Sequence, residues 1–70
     1  MDVRKQIKMI IKDRALIQAE IARRSDMTPD TLYSILALRR KLGANDLINI
    51  CKALNMAVEE VTNYNSNSVN

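Results

Sequence analysis

Apolar side chains recur along the first part of the chain at intervals of three and four residues, which places them on one face of an α-helix. The first such stripe consists of Val3, Ile7, Ile10 and Ile11. Asp2 directly precedes the stripe and has the side chain of a good N-cap. The charged residues that lie off the stripe are Arg4, Lys5, Lys8 and Lys12. We therefore predict a first helix that begins after Asp2 and ends near Asp13 or Arg14, with its basic side chains on a solvated face.

Two short helices joined by a tight turn are predicted next. The second helix should run from about Gln18 to Ser25, and Asp26 after it tolerates the left-handed backbone that turns the chain. Thr28-Pro29-Asp30 then provides an N-cap, a first helical residue that needs no N–H bond, and a first-turn acid. The apolar stripe of this third helix consists of Leu32, Ile35 and Leu36. Two short helices with this connection are typical of a helix-turn-helix unit.

Two further helices are predicted in the second half of the chain. The fourth should run from about Asn45 to Leu54, and Asn55 is a suitable left-handed residue to end it. Its apolar stripe consists of Leu47, Ile50, Cys51 and Leu54. A short fifth helix should span about Val58 to Asn63, with Val58 and Val61 facing inward beside Met56. Together these patterns predict an all-α fold, a compact bundle of about five short helices.

The length of 70 residues allows one domain with one small core. We assign this domain to residues 1–64 and expect the polar residues 65–70 to be disordered. Cys51 is the only cysteine, so an intrachain disulfide is excluded. Because the chain has no histidine, neither a zinc site nor a histidine-activated thiol is expected. The sequence therefore predicts no metal, no cofactor and no enzymatic activity.

The net charge of +3 is unevenly distributed along the chain. Residues 1–43 contain ten Lys and Arg against five Asp and Glu, whereas residues 44–70 contain one Lys against three acids. This asymmetry favours a face suited to a polyanion, and an ordinary solvated surface is the alternative. No apolar run is long enough to span a membrane, and the first residues lack the apolar centre of a signal peptide. We therefore expect a cytoplasmic protein.

The run IQAEIARRSDMTPDTLYSIL, residues 17–36, resembles the phage repressor and Cro family of helix-turn-helix proteins. The segment ALNMAVEEV, residues 53–61, is similar to the closing segment of that family, and the resemblance covers about residues 3–62. It implies a small transcriptional regulator of phage or prophage type that binds an operator in double-stranded DNA and represses or switches a nearby promoter. It also implies a homodimer whose recognition helices enter successive major grooves about 34 Å apart.

Carried over by position, the resemblance also implies which residues contact DNA. Gln18 would bind a phosphate at the start of the second helix, and Thr28 would bind a phosphate or a base edge. The base-facing positions are Pro29, Asp30, Tyr33 and Ser34. The loop beside the DNA backbone holds Arg39, Arg40 and Lys41. The chain departs from the family at Asp26, commonly a glycine, and at Ile11 and Leu36, where many members have an arginine paired with a glutamate.

Asp30 is the least expected residue among the base-facing positions. A carboxylate repels phosphate, although it can accept a hydrogen bond from N4 of cytosine. None of these positions holds the Arg, Asn or Gln that would make a bidentate contact with a base. We therefore predict modest sequence discrimination in each half-site. The alternative function is a protein-binding module, an antirepressor or antitoxin-like partner, that uses the same fold to hold another protein.

Self-association is the remaining expectation. A domain below about 80 residues rarely obtains more than about 3–5 kcal/mol from a single core, and a partner subunit is one usual remedy. We expect the dimer surface on the last helix and on the segment before the polar tail. The candidate residues for this surface are Met56, Val61 and Tyr64.

Overall fold

Five α-helices joined by short turns make up most of residues 2–65, which are the residues that the computed structural model describes. They are α1 Val3–Asp13, α2 Gln18–Arg24, α3 Pro29–Leu36, α4 Ala44–Leu54 and α5 Val58–Thr62. Within residues 2–65 there is no strand, so the predicted all-α fold is confirmed. The predicted polar tail, except Asn65, lies outside the described residues. None of these helices is both long enough and apolar enough to cross a bilayer.

The core is built from the predicted apolar stripes. Its buried apolar residues are Ile7, Ile10, Ile11, Ile21, Ala22, Leu32, Ile35, Leu36, Ile50, Cys51, Leu54 and Val61. α3 packs against both α2 and α1, while α4 closes the bundle against α2 and α5. Ile11 and Leu36 both lie in this interior. Burial also raises the pKa of the Cys51 thiol above its ordinary value.

The expectation for the fifth helix is wrong in part. Val61 is buried as predicted, but Val58 is 40% exposed instead of facing inward. A side chain in a helix leans over the turn that precedes it. Val58 is the first residue of α5, so no preceding turn lies under its side chain, which stays exposed. Val61 has no exposed area, so it cannot belong to a surface for a second copy, contrary to its place among the predicted dimer residues.

Tyr64, near the end of the described residues, is hydrogen-bonded to the last residue of α1. Its hydroxyl donates a hydrogen bond to Oδ2 of Asp13 over 2.8 Å. This bond raises the pKa of the Tyr64 phenol above its ordinary value. Tyr64 and Met56 are both half-buried against the core, so each can offer only part of its side chain to a partner.

Four non-glycine residues with left-handed backbone end the first four helices. They are Ala15 at φ 54°, Asp26 at φ 62°, Leu38 at φ 65° and Asn55 at φ 58°. At the end of α2, the N–H of Asp26 donates to the carbonyl of Arg23, and the N–H of Met27 donates to that of Ala22. The same pair of bonds recurs at the other three ends, which is the Schellman arrangement. The left-handed conformations predicted for Asp26 and Asn55 are confirmed, whereas those of Ala15 and Leu38 carry steric strain.

Replacing Ala15 with glycine should stabilise the domain. Left-handed backbone costs a side chain with a Cβ on the order of 1 kcal/mol, and glycine does not have this cost. We expect Ala15→Gly to raise the midpoint of thermal unfolding by several degrees. Ala19→Gly is the matched control, because Ala19 is an exposed residue with right-handed helical backbone in the first turn of α2, where glycine should cost up to about 1 kcal/mol. Shifts of the same sign in both variants would contradict the strain assigned to Ala15.

Candidate nucleic-acid interface

A four-residue turn, Ser25 to Thr28, sets the geometry between α2 and α3. Ser25 is buried, and its hydroxyl donates to the carbonyl of Ile21 over 2.7 Å. Met27 packs partly buried against the core. The contact between α2 and α3 is the most extensive of any pair of described helices, so these two helices form one packed unit. The turn and this packing therefore fix the orientation of α3 relative to α2.

Thr28 caps α3 as the sequence predicts. Its Oγ1 accepts the backbone N–H of Thr31 over 3.1 Å, and its hydroxyl donates to Oγ1 of Thr31 over 2.9 Å. Pro29 occupies the first helical position, and Asp30 is the acid of the first turn. The Thr28 hydroxyl is therefore engaged within the protein, and a contact with phosphate would require it to turn its proton away from Thr31.

The predicted base-facing residues lie together on the outer side of α3. Leu32, Ile35 and Leu36 are buried, so their packing turns the opposite side of the helix outward. This opposite side consists of Pro29, Asp30, Tyr33 and Ser34. All of them are exposed except Ser34, which is half-buried. The face offers a carboxylate and two hydroxyl groups, and its only full charge is negative.

The basic loop Arg39–Lys41 continues directly from α3. The N–H of Arg39 donates to the carbonyl of Ser34 over 2.9 Å, which joins the start of the loop to the last turn of the helix. All three cationic side chains of the loop are exposed. Leu42 after them packs partly buried against the core and fixes the other end of the loop. Positive charge therefore stands beside the exposed face of α3.

Arg4 contacts this loop, a role that the sequence did not indicate. Its Nη1 donates to the carbonyl of Arg40 over 2.9 Å, between residues 36 positions apart. Its Nε and Nη2 donate to the two carboxylate oxygens of Asp2 over 3.0 and 2.7 Å. The side-chain hydrogen bond from Arg4 holds the pKa of Asp2 at about 2, below its usual value of 3.8. Lys5, Lys8 and Lys12 are exposed, as predicted, but Arg4 is not part of that solvated face.

Unlike α3, α2 begins without a side-chain N-cap. Gln18, its first residue, is half-buried, and its predicted phosphate contact remains a prediction. Ile17 occupies the N-cap position, provides no side-chain acceptor and is 70% exposed. Farther along α2, Glu20 forms ion pairs with Arg23 and Arg24. The N–H groups at the start of α2 therefore donate no hydrogen bond to an N-cap side chain.

Replacing Ile17 with serine should stabilise the domain. A serine N-cap satisfies a free backbone N–H and is worth about 1 kcal/mol, while the exposed isoleucine contributes little burial. We expect a higher midpoint in urea unfolding for Ile17→Ser. Ile48→Ser is the matched control, because Ile48 is also an exposed isoleucine but lies inside α4. If Ile17→Ser were no more stable than this control, the missing N-cap would not weaken α2.

A family model described as Cro/C1-type HTH DNA-binding domain matches residues 6–67 of this chain. The matched range includes α2, the turn and α3 in full, as well as the basic loop. Comparisons with curated proteins and with solved structures found no match.

Proposed function

The chain belongs to the Cro/C1-type helix-turn-helix DNA-binding family, and from this membership we propose that it regulates transcription by binding operator half-sites as a dimer. In this proposal α3 enters the major groove of duplex DNA, and Arg39–Lys41 contacts the phosphates beside it. The observation that supports it is the continuity of the exposed face of α3 with the basic loop, through the bond between Arg39 and Ser34.

Contacts with the charged phosphate backbone of DNA supply most of the affinity in this proposal. Each lysine or arginine that neutralises a phosphate releases condensed counterions, which favours binding. The outer face of α3 contains no arginine, asparagine or glutamine that could add a bidentate contact with a base. Asp30 accepts a hydrogen bond from N4 of a cytosine, and Tyr33 and Ser34 make contacts that several bases can satisfy. Discrimination within each half-site is therefore modest, and the spacing of two half-sites contributes much of the specificity.

The dimer surface that we propose lies on α5 and its flanking residues. Val58 is the exposed apolar residue there, and Met56 and Tyr64 are half-buried. Val61 is left out because it is fully buried. A twofold arrangement through this surface would leave α3 of each copy free for DNA, with recognition helices about 34 Å apart. Occupation of such a site at a promoter would block or switch transcription.

Removing the loop charges should reduce both the affinity for duplex DNA and its salt dependence. We expect the Arg39→Ala/Arg40→Ala/Lys41→Ala variant to bind more weakly at low salt. The slope of log K against log salt should fall in magnitude by about 0.9 for each lost phosphate contact. Fluorescence anisotropy with a labelled duplex over a salt series measures both quantities.

The matched control for this experiment is Lys5→Ala/Lys8→Ala/Lys12→Ala, which removes the same charge from the exposed side of α1. Its salt slope should stay close to that of the unaltered chain. Equal losses in the two triple variants would mean that total charge, and not the loop, determines binding. A chain without salt-dependent DNA binding would contradict the proposed function and favour the protein-binding module.

Replacing Val58 with aspartate should weaken the dimer. A carboxylate introduced at the exposed apolar residue of α5 would have to be desolvated at the interface. We expect sedimentation at micromolar concentration, with a duplex carrying two half-sites, to show a dimer for the unaltered chain and less of it for Val58→Asp. Ile48→Asp changes another exposed apolar residue and should have no such effect. Monomer alone, with and without DNA, would contradict the dimer.

A further inference from the structure

We propose that Arg4 is a positioning residue of the DNA-binding surface: clamped by Asp2, it holds the basic loop in place through the carbonyl of Arg40 and does not itself contact DNA. This inference rests on the proposed function, in which the loop contacts phosphate. It assigns a role in DNA binding to an acidic residue and to the N-terminal end of α1.

All three guanidinium nitrogens of Arg4 donate to acceptors within the protein. Nε and Nη2 form a two-point pair with the carboxylate of Asp2, and Nη1 donates to the carbonyl of Arg40. The side chain of Arg4 is 23% exposed, against 72% for Arg23 and 64% for Arg24 on α2. The planar, rigid fork of arginine suits this arrangement, because two of its edges point in fixed directions at once. The group is therefore held against the protein surface by three hydrogen bonds and is not available as a free cation.

The loop needs such a contact because little else fixes its middle. It begins after Leu38, a residue with strained left-handed backbone, and it carries three adjacent like charges that repel one another. Its ends are joined to the last turn of α3 through Arg39 and to the core through Leu42, which leaves Arg40 and Lys41 between the two attachments. The bond from Arg4 ties Arg40 to α1.

Asp2 makes the contact compatible with the charge of the loop. An arginine without a partner would add a fourth cation beside the three of the loop. The Asp2–Arg4 pair instead supplies a hydrogen-bond donor with no net charge. Asp2 is also fixed in position, because Oδ1 accepts the backbone N–H of Arg4 as the N-cap of α1. The helix start therefore orients the carboxylate, the carboxylate orients the guanidinium, and the guanidinium holds the loop.

The effect of Asp2→Ser on DNA binding distinguishes this role from simple electrostatics. Serine keeps the N-cap but removes the carboxylate, so the net charge becomes more positive. Electrostatics alone predicts tighter binding to DNA, whereas the clamp predicts binding weaker by about fivefold, the cost of a lost hydrogen bond. Asp46→Asn removes one negative charge from the first turn of α4, outside the proposed DNA-binding and dimer surfaces, and is the matched control. It should leave binding unchanged or slightly tighter.

Arg4→Lys tests the guanidinium at constant charge. Lysine cannot bond Asp2 and the Arg40 carbonyl in the same fixed geometry, so we expect weaker DNA binding with an unchanged salt slope. Lys8→Ala removes a cation from the same helix without a loop contact, and it should weaken binding less. Unfolding midpoints measured on each variant separate a loss of the loop contact from a loss of the fold.

A measurement without DNA tests the clamp independently of the proposed function. Backbone ¹⁵N relaxation should show lower order parameters at Arg40 and Lys41 in both Asp2→Ser and Arg4→Lys, with helix values unchanged. Unchanged order parameters in the loop, or tighter DNA binding by Asp2→Ser, would overturn the inference. If the unaltered chain fails to bind DNA while the loop still loosens in both variants, the proposed function fails and the clamp remains.

Discussion

The burial of Leu32, Ile35 and Leu36 against α1 and α2 is the interaction on which the rest of this structure depends. These three side chains occupy one side of a two-turn helix, so their packing decides which residues of α3 face outward. A helix of eight residues is too short to be stable alone, and its conformation therefore comes from tertiary contact. The outer face of α3 is exposed only because the opposite side of the helix is fixed in the core.

The turns between helices extend this constraint to the rest of the domain. The chain has a single glycine, so four other residues adopt the left-handed backbone that ends the first four helices. Three of these turns are followed by a partly buried apolar residue, Leu16, Met27 or Met56, which anchors the chain in the core. The turn after α3 is followed instead by Arg39. The exception occurs where the chain leaves the core to form the basic loop, which is also where Arg4 supplies a different attachment.

Local patterns were sufficient to predict the helices, most of the core and the caps at Asp2, Thr28 and Asn55. These features follow from side-chain spacing and from the hydrogen-bonding chemistry of neighbouring residues. The contact between Arg4 and Arg40 joins residues 36 positions apart, so no local pattern contains it. The left-handed conformations of Ala15 and Leu38 oppose the preferences of those residues and result from the packing around them. The inward orientation expected for Val58 is wrong because Val58 is the first residue of α5, where no preceding turn lies under its side chain.

Selection of bound duplexes from a random pool tests DNA binding by α3 and the basic loop most directly, since the operator sequence need not be known beforehand. We expect enrichment of two short, weakly defined half-sites related by twofold symmetry, with centres about one helical turn of DNA apart. Cytosine should be among the enriched bases, opposite Asp30. A pool that remains random after repeated selection at low salt would contradict the assignment of α3 and the basic loop as a DNA-binding surface.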